Sequence, residues 1–243
     1  MKRLLATAIL STALLAPQAA SAKIVELGGS IPKAAVSCPE NCQAVGRVTG
    51  YQGRGGTVAK PFVIPRKGKI LAFTVRLGKP DANQVKFFND LYGNDPQVQL
   101  SILRRGQKRK TTLDHRLLAQ SPAFKVSQFF GSAPTFILDK PLEVRAKYIV
   151  ALTVPTWAPV FAVGLQRNHW WRSSRAKGKC DNVSQMASLT KLQTKKVFGC
   201  TYFTARLYYT ATYVPDNKPT SAAKATAARE GSAAVGARTA RGG

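Results

Sequence analysis

"CTYFTARLYYTATYV", residues 200–214, changes character at every step. Phe203, Ala205, Leu207, Tyr209, Ala211 and Tyr213 fall on one side; Tyr202, Thr204, Arg206, Tyr208, Thr210 and Thr212 fall on the other. A period of two with one apolar side is the pattern of a half-buried β-strand. Two further runs repeat it. "GKILAFTVRLG" (68–78) sets Leu71, Phe73, Val75 and Leu77 against Ile70, Thr74 and Arg76. "PQVQLSILRRG" (96–106) sets Val98, Leu100 and Ile102 against Gln97, Gln99 and Ser101. "KYIVALTV" (147–154) is more continuously apolar, as suits a strand near the middle of a sheet. Turn-forming breaks separate the runs: "YQGRGG" (51–56), "GKPDAN" (78–83) and "GSAP" (131–134). The expectation is an all-β chain of about nine to eleven strands, an antiparallel β-sandwich of jelly-roll type.

One segment departs from this pattern. In "PDANQVKFFNDLYGND" (80–95), Val85, Phe88 and Leu91 recur at helical spacing. Asp81 is placed to cap the N-terminus and Gly93 to supply a left-handed stop. The spacing predicts a short helix in a loop, covering an open end of the sheet.

The ends of the chain are read differently. Lys2 and Arg3, the apolar run "LLATAILSTALL" (4–15) and Ala20-Ser21-Ala22 have the three parts of a secretion signal. Cleavage near Ala22 would leave an exported chain beginning at Lys23. The apolar run is too short to span a bilayer, so no transmembrane segment is expected. Residues 23–42 read as a loosely held lead-in with a local disulfide, and 43–214 as the sandwich domain. Residues 215–243 hold a single large aliphatic side chain, Val235, among Ala, Gly and Thr. That segment is expected to be a disordered basic tail.

The whole chain holds 37 Lys and Arg against 11 Asp and Glu, a net charge of +26. The excess runs through the body of the chain and is not confined to the tail, so the surface should attract polyanions. An anionic cell-surface polymer or polysaccharide is the expected partner, with non-specific attraction to nucleic acid or anionic lipid through charge alone. Four cysteines, all past the signal, suit an oxidising compartment. Of their three pairings, Cys38–Cys42 and Cys180–Cys200 are the ones expected. The spacing does not give two close ligand pairs for zinc, and neither His115 nor His169 completes a site. No metal or other cofactor is expected.

Sequence motifs for catalysis are missing: there is no G-x-S-x-G, H-E-x-x-H, Walker loop or G-x-G-x-x-G. His115 adjoins Asp114, but neighbours on a strand point to opposite faces, so His115 is expected as a solvent-exposed strand-edge residue. The acidic residues fall mostly in turns and at element ends, with nothing to pair two of them as a glycosidase requires. No catalytic residue is assigned.

Two clusters remain. "LTVPTWAPVFAVGLQRNHWWRSSRAKGKC" (152–180) carries Trp157, Trp170 and Trp171, then Arg172, Arg175, Lys177 and Lys179. Aromatic rings stack on sugars or bases, and arginine forks grip phosphate or carboxylate, so this stretch has the chemistry of an anionic-glycan site. The same residues would equally serve to pin a long loop to the end of a sandwich. Trp170 and Trp171 should diverge, one into the core and one towards solvent. The second cluster, Arg104, Arg105, Lys108, Arg109 and Lys110, reads as a cationic hairpin tip without aromatics.

Several of these segments, "FVIPRKGKILAFTVRLGKP", "VKFFNDLYG", "LSILRRG", "VALTVPTWAPVFA", "WRSSRAKGKC" and "CTYFTARLYYTAT", together resemble a family of uncharacterised secreted bacterial β-sandwich proteins. That resemblance implies a jelly-roll-like fold and export, and no activity or site residues, because the family has none assigned. The function expected is that of an exported, non-enzymatic binding or envelope-associated protein for an anionic or glycan-bearing surface. The alternatives are a secreted polysaccharide-acting hydrolase with an unrecognised carboxylate pair, and a purely structural envelope component.

Overall fold

The structure is a computed structural model and describes residues 23–217. The signal segment and nearly all of the C-terminal tail lie outside the described residues. About 44% of the described residues are strand. In chain order the strands begin with β1 (Val25–Leu27), β2 (Val45–Gly55), β3 (Val58–Ala59), β4 (Gly68–Val75) and β5 (Gln97–Arg105). Next come β6 (Asp114–Gln120), β7 (Phe124–Lys125), β8 (Thr135–Val144), β9 (Ile149–Ala158) and β10 (Phe161–Ala162). The last five are β11 (Trp170–Ser173), β12 (Lys195–Val197), β13 (Cys200–Phe203), β14 (Arg206–Leu207) and β15 (Tyr209–Pro215). A single α-helix among the described residues, α1 (Ala82–Tyr92), joins β4 to β5.

All the pairings are antiparallel. A long, curled sheet runs β12-β6-β5-β9-β2-β11-β13, with β3 added to β2 and β7 to β5. A smaller sheet runs β1-β15-β4-β8, and β10 pairs with β14. The main core lies between the sheets. Ile70, Phe73 and Val75 of β4 and Tyr209, Ala211 and Tyr213 of β15 meet Val98, Leu100 and Ile102 of β5 and Val150, Leu152 and Val154 of β9. The opposite face of the long sheet is also covered: Tyr51, Leu103, Leu117, Ile149 and Ala151 lie against Leu189 and Phe198 from the 187–199 segment.

This second covering explains why β9 reads as continuously apolar: Val150, Leu152 and Val154 face one core, Ile149 and Ala151 the other. Thr153, next after Ile149 and Ala151 on the outer face, is fully buried in a hydroxyl ladder. The Thr153 Oγ1 lies 2.7 Å from Thr49 Oγ1 and 2.6 Å from Ser101 Oγ, while Leu189 N–H donates to Thr49 Oγ1 at 2.9 Å. Buried hydroxyls are tolerated here because each has a partner.

Two strand assignments change on folding. In β4, Ile70 and Phe73 are both buried, because a bulge at Leu71 shifts the pairing with β8 and β15 between Ile70 and Ala72. The alternation therefore resets, and Ile70 takes the inward place expected of Leu71. Residues 200–214 are three strands, not one. Thr204 takes a positive φ of 58° and ends β13, leaving Phe203 exposed. Arg206, expected on a polar face, is buried. Its guanidinium donates to the Ile31, Pro32 and Gly28 carbonyls and lies 4.2 Å from the Tyr208 ring centroid. From Leu207 onwards the inward set is the expected one. Such breaks raise the number of strands above that expected by cutting long runs into short pieces.

The lead-in is held more firmly than expected. β1 pairs with β15, and Ile31 is buried against Gly55. Both expected disulfides form: Cys38–Cys42, and Cys180–Cys200, which ties the end of the basic run 175–179 to the start of β13. The helix also has the expected ends. Asp81 accepts from Gln84 N–H at 2.9 Å while the Gln84 side chain accepts from Asp81 N–H at 3.0 Å, a reciprocal capping box. Gly93 stops the helix at φ 95°. Phe88 and Tyr92 face inward over Trp157.

Candidate functional site

Burial separates the residues of the 152–180 stretch. Trp157 is fully buried in β9 under α1, packed at a tilt against Phe88 and Phe130, and its indole N–H donates to Asn89 Oδ1 at 2.9 Å. It cannot touch a ligand, which corrects its place in the contact patch: two flanking prolines left it on an interior strand position. Trp171 also points inward, stacked on Tyr202 with centroids 4.5 Å apart. Arg175 is buried as well. Its guanidinium donates to four main-chain carbonyls, those of Gly46, Asn182, Val183 and Gln185, so its donors are engaged in holding the 181–185 loop. Trp171 and Arg175 thus leave the outward-facing set. Lys177 is exposed in the segment between β11 and Cys180, apart from the cavity described next.

Trp170 and Arg172 point the other way. On β11 they alternate with Trp171 and Ser173, and the antiparallel partner β2 places Tyr51 opposite Arg172. A register shift at Trp170 sets Arg54 opposite it, with Gly53 left over as the bulged residue. A Cβ built on Gly53 would lie 1.9 Å from the Trp170 ring, so only glycine lets the benzo half of the indole settle on the β2 backbone. Strand pairing brings one residue of the second basic cluster, Arg105, to the same face. Leu103 pairs with Ile149 at the start of β9, and Arg105, two residues further along β5, extends past the end of β9.

These residues border a cavity of about 390 Å³ whose wall includes Trp170, Arg172, Tyr51, Arg54, Lys60 and Arg105. Its size lies at the lower end of the range for small-molecule sites. Arg104, Lys108, Arg109 and Lys110 stay on the exposed β5–β6 hairpin and do not border it. Sequence reasoning missed Tyr51, Arg54 and Lys60 because "YQGRGG" reads as a turn. It is in fact the second half of β2, bent by the bulge at Gly53. The signal available was Tyr51 alone, an aromatic just past the apolar–polar run that opens the strand.

The three arginines share a geometry. Each is held by its Nε: Arg54 donates to the Gly56 carbonyl at 2.9 Å, Arg105 to the Thr112 carbonyl at 2.6 Å and Arg172 to Thr201 Oγ1 at 3.2 Å. The anchors are neutral oxygens, so the charge is not compensated; one Arg172 donor also reaches the Tyr51 oxygen, and the other terminal donors can face an anion. No carboxylate borders the cavity. Among the described residues the five ion pairs engage only lysines: Lys67, Lys69, Lys86, Lys125 and Lys195.

Behind the cavity lies a buried polar chain. His115, expected at a solvent-exposed strand edge, is fully buried in β6, since β12 pairs outside it and Phe198 packs on its ring with centroids 4.3 Å apart. Its Nδ1 lies 2.8 Å from the Leu113 carbonyl, which can only accept, so the proton sits on Nδ1. Burial, aided by the Arg105 and Arg172 charges, lowers the His115 pKa from 6.5 to about 4. The neutral ring therefore presents Nε2 as an acceptor to the Tyr51 hydroxyl, 3.2 Å away. Burial raises the Tyr51 pKa, with Arg172 and Arg105 opposing it. The phenol stays protonated and donates inward, while its oxygen accepts on the side of Arg172.

A larger cavity, about 540 Å³, lies beyond Trp171. Tyr92, Phe161, Tyr202 and Phe203 contribute aromatic rings, and its one charged residue is Arg175, whose terminal nitrogens are bonded to main-chain carbonyls. The acidic residues lie elsewhere: Asp81 caps α1, Asp90 pairs with Lys86 and Asp95 with Lys125. Compared with known proteins, the chain matches no protein-family model, no curated protein and no solved structure.

Proposed function

We propose that the chain is an exported, non-enzymatic protein that binds an anionic or glycan-bearing surface through the cavity between Trp170 and Arg105. The observation that carries this is the convergence of three Nε-anchored guanidiniums, Lys60 and an indole around one recess without a carboxylate. Long-range attraction by the basic body brings the polymer in, and bidentate hydrogen bonds with stacking hold it. We read the packing of the smaller sheet on the long one as a sandwich of jelly-roll type, with the cavity on its outer face. Two disulfides suit export, and no helix among the described residues is long and apolar enough to cross a membrane.

The test is retention of the mature chain on purified cell-wall glycan, DNA and anionic vesicles as salt rises from about 50 to 500 mM. Retention on glycan should outlast retention on the other two, and Arg105→Ala with Lys60→Ala should remove that difference. Loss of all three ligands together at the same salt would reduce the protein to a generic cationic adhesive and sink the reading.

A further inference from the structure

Whether charge or shape selects the ligand is decided by how the cavity's donors and acceptors are arranged. Arg105 and Arg172 belong to strands separated by β9 and by β2, the strand that carries Tyr51, and reach Tyr51 from opposite sides. Both guanidiniums act on the Tyr51 oxygen, so the cavity floor lies in their joint field. That floor is not a donor: the Tyr51 hydroxyl proton is committed to His115 Nε2 at 3.2 Å, and the oxygen can only accept from the cavity side. Beside it the wall is apolar, formed by Trp170, Phe62, Val63 and Ile149. An inorganic anion would satisfy the guanidiniums and leave the indole and the tyrosine lone pair unused. A duplex or a lipid surface is too broad for a recess of about 390 Å³.

Resting on the proposed binding function, we infer that this cavity is a subsite for one anionic sugar unit of a glycan. The sugar's carboxylate or phosphate ester sits between Arg105 and Arg172, its ring lies against Trp170, and one of its hydroxyls donates to the Tyr51 oxygen. Arg54 and Lys60, on the rim side of Trp170, lie where neighbouring anionic units of the same chain would run.

The experiment is a calorimetric and tryptophan-fluorescence titration of the mature chain at about 150 mM salt with glucuronate, glucose 6-phosphate, glucose, acetate and inorganic phosphate. At least one anionic sugar should bind about tenfold or more tighter than glucose and than the matching simple anion, acetate or phosphate. Whichever of glucuronate and glucose 6-phosphate leads identifies a carboxylate or a phosphate ester as the anionic group. Arg105→Ala should cut that affinity about tenfold without moving the melting temperature, whereas Lys110→Ala, on the same hairpin but off the cavity, should leave it unchanged. Equal affinity for phosphate and glucose 6-phosphate, and for acetate and glucuronate, would overturn the inference, as would an equal loss in both variants. If the sugars fail while Arg105-dependent retention on glycan polymer persists, the subsite falls and the binding function stands. If polymer retention also fails to depend on Arg105, both fall.

Discussion

At the scale of single residues, the three tryptophans divide between two roles: Trp157 and Trp171 are buried in the core, and Trp170 borders the cavity. Trp157 is a packing residue, so Trp157→Ala should cost roughly 3 to 5 kcal/mol, as expected for emptying a large buried site. Trp170→Ala should cost much less, because one side of its ring lies on the cavity, and thermal unfolding of the two variants checks the contrast. His115 makes the sharper prediction. Its folded pKa of about 4 lies below the unfolded value of 6.5, so the unfolded chain binds the proton first as pH falls. Stability from this residue is therefore fully present above about pH 6.5 and is lost progressively towards pH 4, by roughly 3 kcal/mol at most. Denaturant unfolding at several pH values should show this slope in the parent chain and a shallower one in His115→Gln. Neither role was legible in the sequence. A tryptophan between prolines and a histidine beside an aspartate look the same in a loop, on an edge or inside, and burial is set by what packs across them.

The elements were more legible where local chemistry is self-sufficient. The helix needs only Asp81, Gln84 and Gly93, which lie within a dozen residues of one another, and it forms with the ends its sequence predicts. Asp81→Ala should lower stability by about 1 kcal/mol, read as a small fall in melting temperature, while Asp81→Asn should restore most of it. The strands of residues 68–78 and 200–214 were legible in kind and wrong in detail. At Leu71 the pairing of β4 with two neighbours forces a bulge, and at Thr204 the chain turns so that Arg206 can reach the Ile31, Pro32 and Gly28 carbonyls. Those partners are about 175 residues away in sequence. No local pattern carries that information.

Across the whole molecule, the proposed binding has the excess of cations acting at long range and the cavity at short range, and salt would separate the two. Binding of DNA should weaken steeply with salt and change little in Arg172→Lys, which keeps the charge and loses the planar fork. Binding of an acidic glycan should weaken less with salt and fall about tenfold in the same variant, measured by titration at two ionic strengths. The amino-acid sequence by itself determined the strand-rich class, the capped helix, the two disulfide pairings and the basic character. Each of these depends on side-chain alternation, short-range spacing or composition. Only the tertiary structure decided which tryptophan meets solvent, that Arg175 is structural, and that Arg105 and Arg172 face one recess with Tyr51 between them. The reason is the order of strands in the long sheet. Residues 105 and 172 become neighbours only because β5, β9, β2 and β11 lie side by side, and that order is chosen by the burial of both sheet faces together.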